Sequence, residues 1–162
     1  MSKEMANAII KKGDKILIIK RSDIPIWEFP SGKKENNETF KQAAIRETKE
    51  ETGLVVEIEY ELGKYENKLL FRNVISKTFV CKIKSGKITK NREVIDFKFV
   101  DPKKLPSDFG FWLKSTTNDF IKNKKNVNIK QKFGLITCFK FLIKNPHFSF
   151  YPFSILKNLI RN

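Results

Sequence analysis

Apolar and polar positions alternate along the chain in runs that predict β-strands on both sides of a long helical segment. Residues 7–12 and 16–20 are short apolar runs separated by a Gly-Asp turn, and this arrangement predicts a β-hairpin. Further strands are predicted at residues 54–61, 68–83 and 93–100.

Two helices are predicted between and after these strands. Thr39, followed three positions later by Gln42, is typical of a capping box, so the first helix should cover residues 39–52, with Gly53 in the left-handed conformation at its end. The inner stripe of this helix would be Phe40, Ala44 and Thr48. A second helix is predicted over residues 107–123, carrying Phe111, Trp112 and Phe120. This order of strands and helices predicts an α+β sandwich.

The first predicted helix carries a cluster of acidic residues. Glu47, Glu50 and Glu51 are spaced i, i+3 and i+4, so their carboxylates project from one face of the helix. Mg²⁺ prefers oxygen ligands, and proteins usually hold it with one or two carboxylates together with substrate phosphates. The cluster therefore favours a divalent-cation site, and a solvated helix face is the alternative when the cluster is taken alone.

The segment WEFPSGKKENNETFKQAAIRETKEETGL resembles the signature of the Nudix hydrolase family. The matching positions are Gly32, Glu38, Arg46, Glu47, Glu50, Glu51 and Gly53. The EFP run and the lysine after the glycine are most similar to the MutT-like nucleoside triphosphate pyrophosphohydrolases. The resemblance implies an α/β/α sandwich whose signature loop and helix lie beside a mixed sheet. Three positions depart from the pattern: Ser31 and Asn37 replace glycines, and Thr48 replaces an aliphatic residue.

The resemblance also implies roles for individual residues. Glu47, Glu50 and Glu51 would be metal ligands together with the backbone carbonyl of Ser31, and Glu47 or Glu51 would help to activate water. Arg46 would orient the glutamates by ion pairing and so belong to the catalytic set. The structural residues of the motif would be Gly32, Glu38 and Gly53.

Some family members supply a further catalytic acid from a later loop. Glu93 and Asp96, in the run NREVIDF, are the available candidates, and we favour Glu93. Arg21, directly after the strand KILIIK, lies where several relatives place a residue that contacts phosphate, with Lys20 as a weaker competitor. The spacing of the signature fixes neither assignment.

Aromatic and basic residues near the signature are candidates for substrate binding. Trp27 and Phe29 would line a slot in which a nucleobase stacks, but packing in the core explains their positions equally well. Lys33 follows the signature glycine and would contact the substrate, as the resemblance to MutT-like enzymes implies.

The expected activity is Mg²⁺-dependent hydrolysis of a nucleoside diphosphate-linked substrate, with Mn²⁺ as an alternative metal. The favoured substrate is a nucleoside or deoxynucleoside triphosphate, cleaved to the monophosphate and pyrophosphate by a metal-activated water. An RNA 5′-pyrophosphohydrolase or a dinucleoside polyphosphate hydrolase is the alternative enzyme. A Nudix-fold module that binds a nucleotide without cleaving it is the alternative of another class, and the intact glutamate cluster favours an enzyme instead.

Composition adds limits to these hypotheses. A chain of 162 residues with 40% hydrophobic content fits one small enzyme domain, and it contains no leader-like segment and no apolar run long enough to span a membrane, so we expect a cytoplasmic protein. Cys81 and Cys138 lack metal-type spacing and are expected to be free thiols. His147 is the sole histidine and lies in an aromatic segment, where packing or exposure is expected instead of catalysis.

The C-terminal part of the chain differs in composition from the rest. The net charge is +15, and all 18 acidic residues lie in residues 1–120, whereas residues 121–162 contain nine Lys or Arg and no acid. We therefore predict a Nudix domain at 1–126 and a basic aromatic extension at 127–162, helical and packed on the domain or on a homodimer mate. Binding to a membrane surface or to RNA are the alternatives for this extension.

Overall fold

The computed structural model of the protein describes residues 2–69 and 72–150. The strands are β1 (Lys3–Lys12), β2 (Lys15–Arg21), β3 (Trp27–Glu28), β4 (Ser31–Lys33), β5 (Val55–Leu69), β6 (Arg72–Ser85), β7 (Val94–Val100) and β8 (Val127–Phe133). The helices are α1 (Phe40–Thr52), α2 (Lys114–Ile121) and α3 (Leu135–Lys144), with short 3₁₀ segments at Phe111–Leu113 and Pro146–Phe150.

The described strands form one mixed sheet. Its order is β3-β2-β1-β6-β5-β8, with β4 beside β1 and β7 beside β2. The pairs β1–β6 and β5–β8 are parallel, and the remaining pairs are antiparallel. The predicted hairpin is confirmed as β1 and β2, and β1 begins four residues earlier than predicted.

The two faces of the sheet bury two separate sets of apolar side chains. Successive residues of a strand point to opposite faces, so along β1 Ala8 and Ile10 pack towards α1, whereas Ile9 packs towards the opposite layer. The first layer includes Ala43 and Ala44 of α1. The second includes Leu113, at the start of the segment that leads into α2. Helical segments therefore cover both faces, which confirms the predicted α+β sandwich.

Helix α1 forms as its capping residues predict. The Thr39 hydroxyl accepts the N–H of Gln42, and the Gln42 side chain accepts the N–H of Thr39 at 2.8 Å, so the capping box is complete. At the other end Gly53 has φ 74° and donates its N–H to the carbonyl of Lys49 at 2.8 Å. A Cβ at position 53 would also approach the carbonyl oxygen of Lys87, so both conformation and space favour glycine there.

Three of the predicted boundaries in the middle of the chain are wrong. β5 continues through Leu69, so the strand predicted at 54–61 is too short and the one predicted at 68–83 begins too early. The helix predicted over 107–123 starts only at Phe111, because Phe109 is buried in the second core layer and Gly110 has an extended conformation that interrupts helical winding. β7, in contrast, matches its predicted span to within one residue.

The C-terminal extension is partly a strand, which corrects the prediction that it is helical. Residues 127–133 form β8, which pairs in parallel with β5 and so belongs to the sheet of the preceding domain. The helical prediction is correct for α3, whose Phe141 packs on Phe111 with ring centroids 5.3 Å apart. Residues 151–162 of the predicted extension lie outside the described residues. Among the described helices, none has the length and apolar content needed to cross a bilayer.

Candidate active site

The carboxyl-terminal half of α1 lies directly against strand β4. The N–H of Ser31 donates a 2.7 Å hydrogen bond to Oε2 of Glu51. Next to it, a Cβ added to Gly32 would overlap the carboxylate of Glu47, so only glycine permits this close approach. The strand and the helix therefore hold Glu47 and Glu51 side by side. The structural role predicted for Gly32 would be to leave room for the carboxylate of Glu47.

Glu51 is a buried acid with little positive charge around it. Its side chain is only 6% exposed, and burial together with the nearby charge of Glu28 raises its pKa to about 9, although the N–H of Ser31 opposes this shift. The predicted metal-binding atom of Ser31 was its carbonyl oxygen, whereas the structure brings its N–H to Glu51. Ionised Glu51 would therefore be stabilised by a cation close to this position.

Glu28 is a second buried acid at this site, and the sequence analysis did not identify it. It lies on β3 between Trp27 and Phe29, and burial raises its pKa while Arg21 opposes the rise. A charged residue flanked by two aromatic residues in an apolar run was a signal that could have found it. Its charge acts on Glu51, so Glu28 belongs to the same acidic cluster.

Arg21, predicted to contact phosphate, is engaged with two carboxylates. Its guanidinium binds Asp23 at 2.6 and 2.8 Å and Glu28 at 3.1 Å. Arg21 thus binds Glu28, and the charge of Glu28 in turn acts on Glu51. Lys20, the less favoured candidate for contact with phosphate, pairs with Asp108 at 3.4 Å.

Arg46 joins the signature loop to the helix acids. Its Nη2 and Nε bind Glu38 at 2.7 and 3.2 Å, and its Nη1 binds Glu47 and Glu50 at 2.9 Å each. It also donates to the carbonyl of Lys33 at 3.1 Å, so Lys33 contributes a backbone atom here, while its side chain is exposed. The Arg46 guanidinium in turn holds the pKa of Glu38 below its usual range.

Because of these contacts, the carboxylates of the predicted metal ligands point in two different directions. Glu47 and Glu50 turn towards Arg46, whereas Glu51 turns towards Ser31. Consequently, within residues 2–69 and 72–150, no three Asp, Glu, His or Cys side chains are grouped closely enough to hold a metal ion. A divalent cation at this site would compete with Arg46 for the carboxylate of Glu47.

The donor set nevertheless fits a hard divalent cation. The site offers carboxylates only, which are the ligands that Mg²⁺ prefers, and no sulfur or imidazole contacts them in the described part of the chain. Burial raises the pKa of Glu47, with Glu50 and Glu93 adding to the effect. A bound cation would favour the ionised form of both Glu47 and Glu51.

Of the two candidates for the later acid, Glu93 is the one near the helix. Its charge contributes to the raised pKa of Glu47, whereas Asp96 pairs with Lys90 at 3.4 Å. Asn91, which sequence reasoning missed, links the two parts. Its amide donates to the carbonyls of Glu50 and Glu51 at 2.8 and 3.1 Å, and its Oδ1 accepts the N–H of Glu93 at 2.9 Å.

The two predicted stacking residues are both buried in the second core layer. Phe29 is fully buried and packs edge-on against Phe109 at 5.2 Å between ring centroids, so the prediction that it lines a substrate slot is wrong and the core-packing alternative holds. Trp27 is also buried, with the ammonium groups of Lys98 and Lys20 at 4.1 and 5.5 Å from its ring. These two lysines provide positive charge beside Trp27.

The other residues singled out from the sequence have no part in this site. Cys81 is a buried free thiol in the first core layer, where burial raises its pKa to about 12, and Cys138 is a free thiol on α3. His147 is exposed and lies against Phe148, with ring centroids 4.2 Å apart.

Comparisons with known proteins agree with this geometry. The family model described as the NUDIX domain matches residues 2–120. A Bacillus subtilis protein to which 8-oxo-dGTP diphosphatase activity is provisionally assigned is 30% identical over 125 residues, covering 76% of this chain and 83% of that protein. An RNA pyrophosphohydrolase of Campylobacter jejuni subsp. doylei is 36% identical over 107 residues, covering 56% of this chain and 69% of that protein.

A solved structure supports the fold independently. The crystal structure of a NUDIX hydrolase from Nitrosomonas europaea superimposes with a TM-score of 0.68 at 24% identity, covering 82% of this chain and 80% of that one. The family match spans the signature loop, helix α1 and most of the sheet that carries them. The chain therefore belongs to the Nudix family and is a Nudix hydrolase.

Proposed function

We propose that the chain hydrolyses a nucleoside or deoxynucleoside triphosphate to the monophosphate and pyrophosphate in a Mg²⁺-dependent reaction. Nudix hydrolases act on nucleotides and generally use divalent metals, so the proposal concerns the substrate and the metal dependence of this chain. The observation that carries it is the pair of acids Glu47 and Glu51, held against Gly32 and Ser31 with raised pKa values.

The residues of the site would have two kinds of role, which are binding the metal and accepting a proton from water. Glu47, Glu51 and Glu50 would hold the metal, which when bound supplies positive charge to the phosphate oxygens and makes a bound water more acidic. In the hydrolysis, a water oxygen bonds to phosphorus, the bridging P–O bond breaks, and the water proton passes to a carboxylate, Glu47 or Glu51. Glu93 is a further acid beside Glu47, and Arg46 would orient the carboxylate of Glu47 through their ion pair.

The test is product analysis with a panel of substrates. The wild type and Glu51→Gln are incubated with Mg²⁺ and nucleoside triphosphates, ADP-ribose, dinucleoside polyphosphates or 5′-triphosphorylated RNA, and the products are separated by anion exchange. Glu57→Gln is the matched control, because Glu57 is an exposed acid on β5 that pairs only with Lys82 and Lys84 among the described residues.

We expect pyrophosphate and a nucleoside monophosphate from the wild type and from Glu57→Gln, and a loss of at least about 100-fold in Glu51→Gln, a size typical for removal of one proton-transfer group. Hydrolysis in ¹⁸O-labelled water identifies the attacked phosphorus from the labelled product. Equal turnover in wild type and Glu51→Gln would contradict the assignment of Glu51. Nucleotide binding without turnover on any substrate would instead favour a binding module.

Hydrolysis of 5′-triphosphorylated RNA is the second candidate function. The Campylobacter jejuni relative is an RNA pyrophosphohydrolase, and the acid-free segment 121–162 would attract a polyanion. This candidate predicts a higher kcat/KM on triphosphorylated RNA than on the free nucleoside triphosphates, and a steep loss of activity on RNA as salt is raised.

A further inference from the structure

Helix α3 exposes most of its apolar side chains to solvent. Phe141 packs on Phe111 of the domain, and the other side of the helix forms what we name the α3 stripe. The members of the α3 stripe, with their exposed fractions, are Leu135 (73%), Ile136 (73%), Phe139 (65%), Leu142 (38%) and Ile143 (63%). Contiguous exposed apolar surface of this kind marks an interaction site.

Lysine residues lie at one border of the α3 stripe. At about 100° per residue, the stripe covers an arc of roughly 120°, and Lys140 and Lys144 follow it directly around the helix. Both lysines are exposed, and neither forms an ion pair within residues 2–69 and 72–150. The helix therefore presents an apolar arc and a basic arc side by side, each without a partner in the described structure.

The whole C-terminal segment carries the same sign of charge. Residues 121–162 contain nine Lys or Arg and no acid. The sequence of residues 151–162, YPFSILKNLIRN, repeats the combination of apolar residues with Lys157 and Arg161. A partner that meets this surface must therefore offer both negative charge and an apolar layer beneath it.

We propose that the α3 stripe binds the surface of an anionic phospholipid membrane, with α3 parallel to the membrane plane. An interfacial helix inserts its apolar face at the boundary between headgroups and acyl chains, while lysines at its border contact anionic headgroups. α3 has 10 residues, so it lies on the membrane and does not cross it. The hydrolase domain is thereby held at the membrane surface.

A second copy of the chain fits this surface less well. A two-fold dimer through the α3 stripe would bring the same basic surface of both copies together, because an isologous interface pairs a patch with itself. Lys140 and Lys144 would then lie near their symmetry mates, and the segment 121–162 has no acid to offset them. The charge of this segment is complementary to anionic lipid and not to itself.

RNA also fits less well than lipid. Single-stranded nucleic acids bind through aromatic and arginine side chains on which bases stack. Four of the five residues of the α3 stripe are aliphatic, with Phe139 the single aromatic, and α3 contains no arginine. Transfer of aliphatic side chains from water into hydrocarbon is favourable in free energy, but these side chains offer no flat face on which a base could stack.

The test is cosedimentation of the full-length protein with vesicles of phosphatidylcholine alone or of phosphatidylcholine mixed with phosphatidylserine. One variant carries Ile136→Ser, Phe139→Ser and Ile143→Ser, and another carries Lys140→Gln and Lys144→Gln. The matched control carries Ile45→Ser, Val55→Ser and Ile95→Ser, which removes three exposed apolar side chains elsewhere in the domain. Hydrolysis of a soluble substrate should be unchanged in all three variants.

We expect the wild type and the matched control to bind phosphatidylserine vesicles and to bind phosphatidylcholine vesicles much more weakly. Partitioning should fall roughly 100-fold or more in the serine variant of α3, and roughly 10- to 30-fold in the glutamine variant. Absence of wild-type binding, or unchanged binding of the α3 serine variant, would overturn the proposal. So would two other results in the absence of vesicle binding: a dimer that the α3 serine substitutions dissociate, or RNA binding that they abolish.

Discussion

Thr48→Val should stabilise the protein, because it removes a buried hydroxyl that has no hydrogen-bond partner. Thr48 lies on the inner side of α1 and is 0% exposed, and its Oγ1 is unpaired among the residues that the structure describes. A threonine in a helix can usually bond to a carbonyl of the preceding turn, but this one does not. Valine has nearly the same shape and replaces the buried hydroxyl with a methyl group.

The expected gain follows from the penalty for an unsatisfied buried polar group. That penalty is about 1 to 3 kcal/mol, so the free energy of unfolding should rise by about that amount. In a domain of this size, each kcal/mol raises Tm by about 2 to 4 °C. The measurement is urea unfolding followed by circular dichroism, with the unfolding free energy taken from midpoint and slope.

Thr52→Val is the matched control one turn further along the same helix. Thr52 is equally buried, but its hydroxyl donates to the carbonyl of Thr48 at 2.5 Å and accepts the N–H of Leu54 at 3.2 Å. The same substitution should therefore destabilise the protein by about 1 to 2 kcal/mol. If Thr48→Val is neutral or destabilising, its hydroxyl is satisfied in solution and the reasoning from the unpaired oxygen is refuted.

Three further predictions concern the site. Gly32→Ala should lower kcat/KM strongly with little loss of folding, since its Cβ must displace the Glu47 carboxylate; unchanged kinetics would mean that Glu47 can move freely. Arg46→Lys should lower kcat, because one ammonium group cannot replace a guanidinium that binds Glu38 and Glu47 together. The kcat of Arg46→Gln should be no higher than that of Arg46→Lys. Mg²⁺ should raise the Tm of the EDTA-treated wild type, and less so that of Glu51→Gln; equal shifts would place the cation elsewhere.

Sequence reasoning succeeded where a structural feature depends on neighbouring residues. Both ends of α1 follow from side chains within three residues of them: the Thr39–Gln42 pair at the start and Gly53 at the end. It failed at β8, which pairs with β5 more than 60 residues earlier. Val127, Ile129 and Phe133 alternate with polar residues, and the helical prediction did not use this period-2 pattern, which indicates a strand.

The candidate site shows the same division. The spacing of the helix acids was visible in the sequence, and the family resemblance implied the ion pairing of Arg46 with them. Glu28 and Asn91 were missed because their importance comes from tertiary contacts: Glu28 reaches Glu51 from another strand, and Asn91 bonds to helix carbonyls 40 and 41 residues earlier. For Phe29, a substrate slot and core packing were equal alternatives, because a sequence cannot distinguish a buried aromatic side chain from an exposed one.

Two buried acids lie close to one end of α1. Glu51 and Glu28 are buried acids whose charges repel each other. Arg21 and, to a smaller extent, Lys3 oppose the raised pKa of Glu28, and the N–H of Ser31 and Arg21 oppose that of Glu51. Uncompensated buried charge destabilises a fold, and a neutral residue of similar size would avoid that loss. Local rules are broken mainly where function requires it, so the two buried acids agree with the proposed cation site beside them at Glu47, Glu50 and Glu51. Positive charge bound there would relieve the repulsion between Glu28 and Glu51, and the instability of the free site would favour binding of the cation.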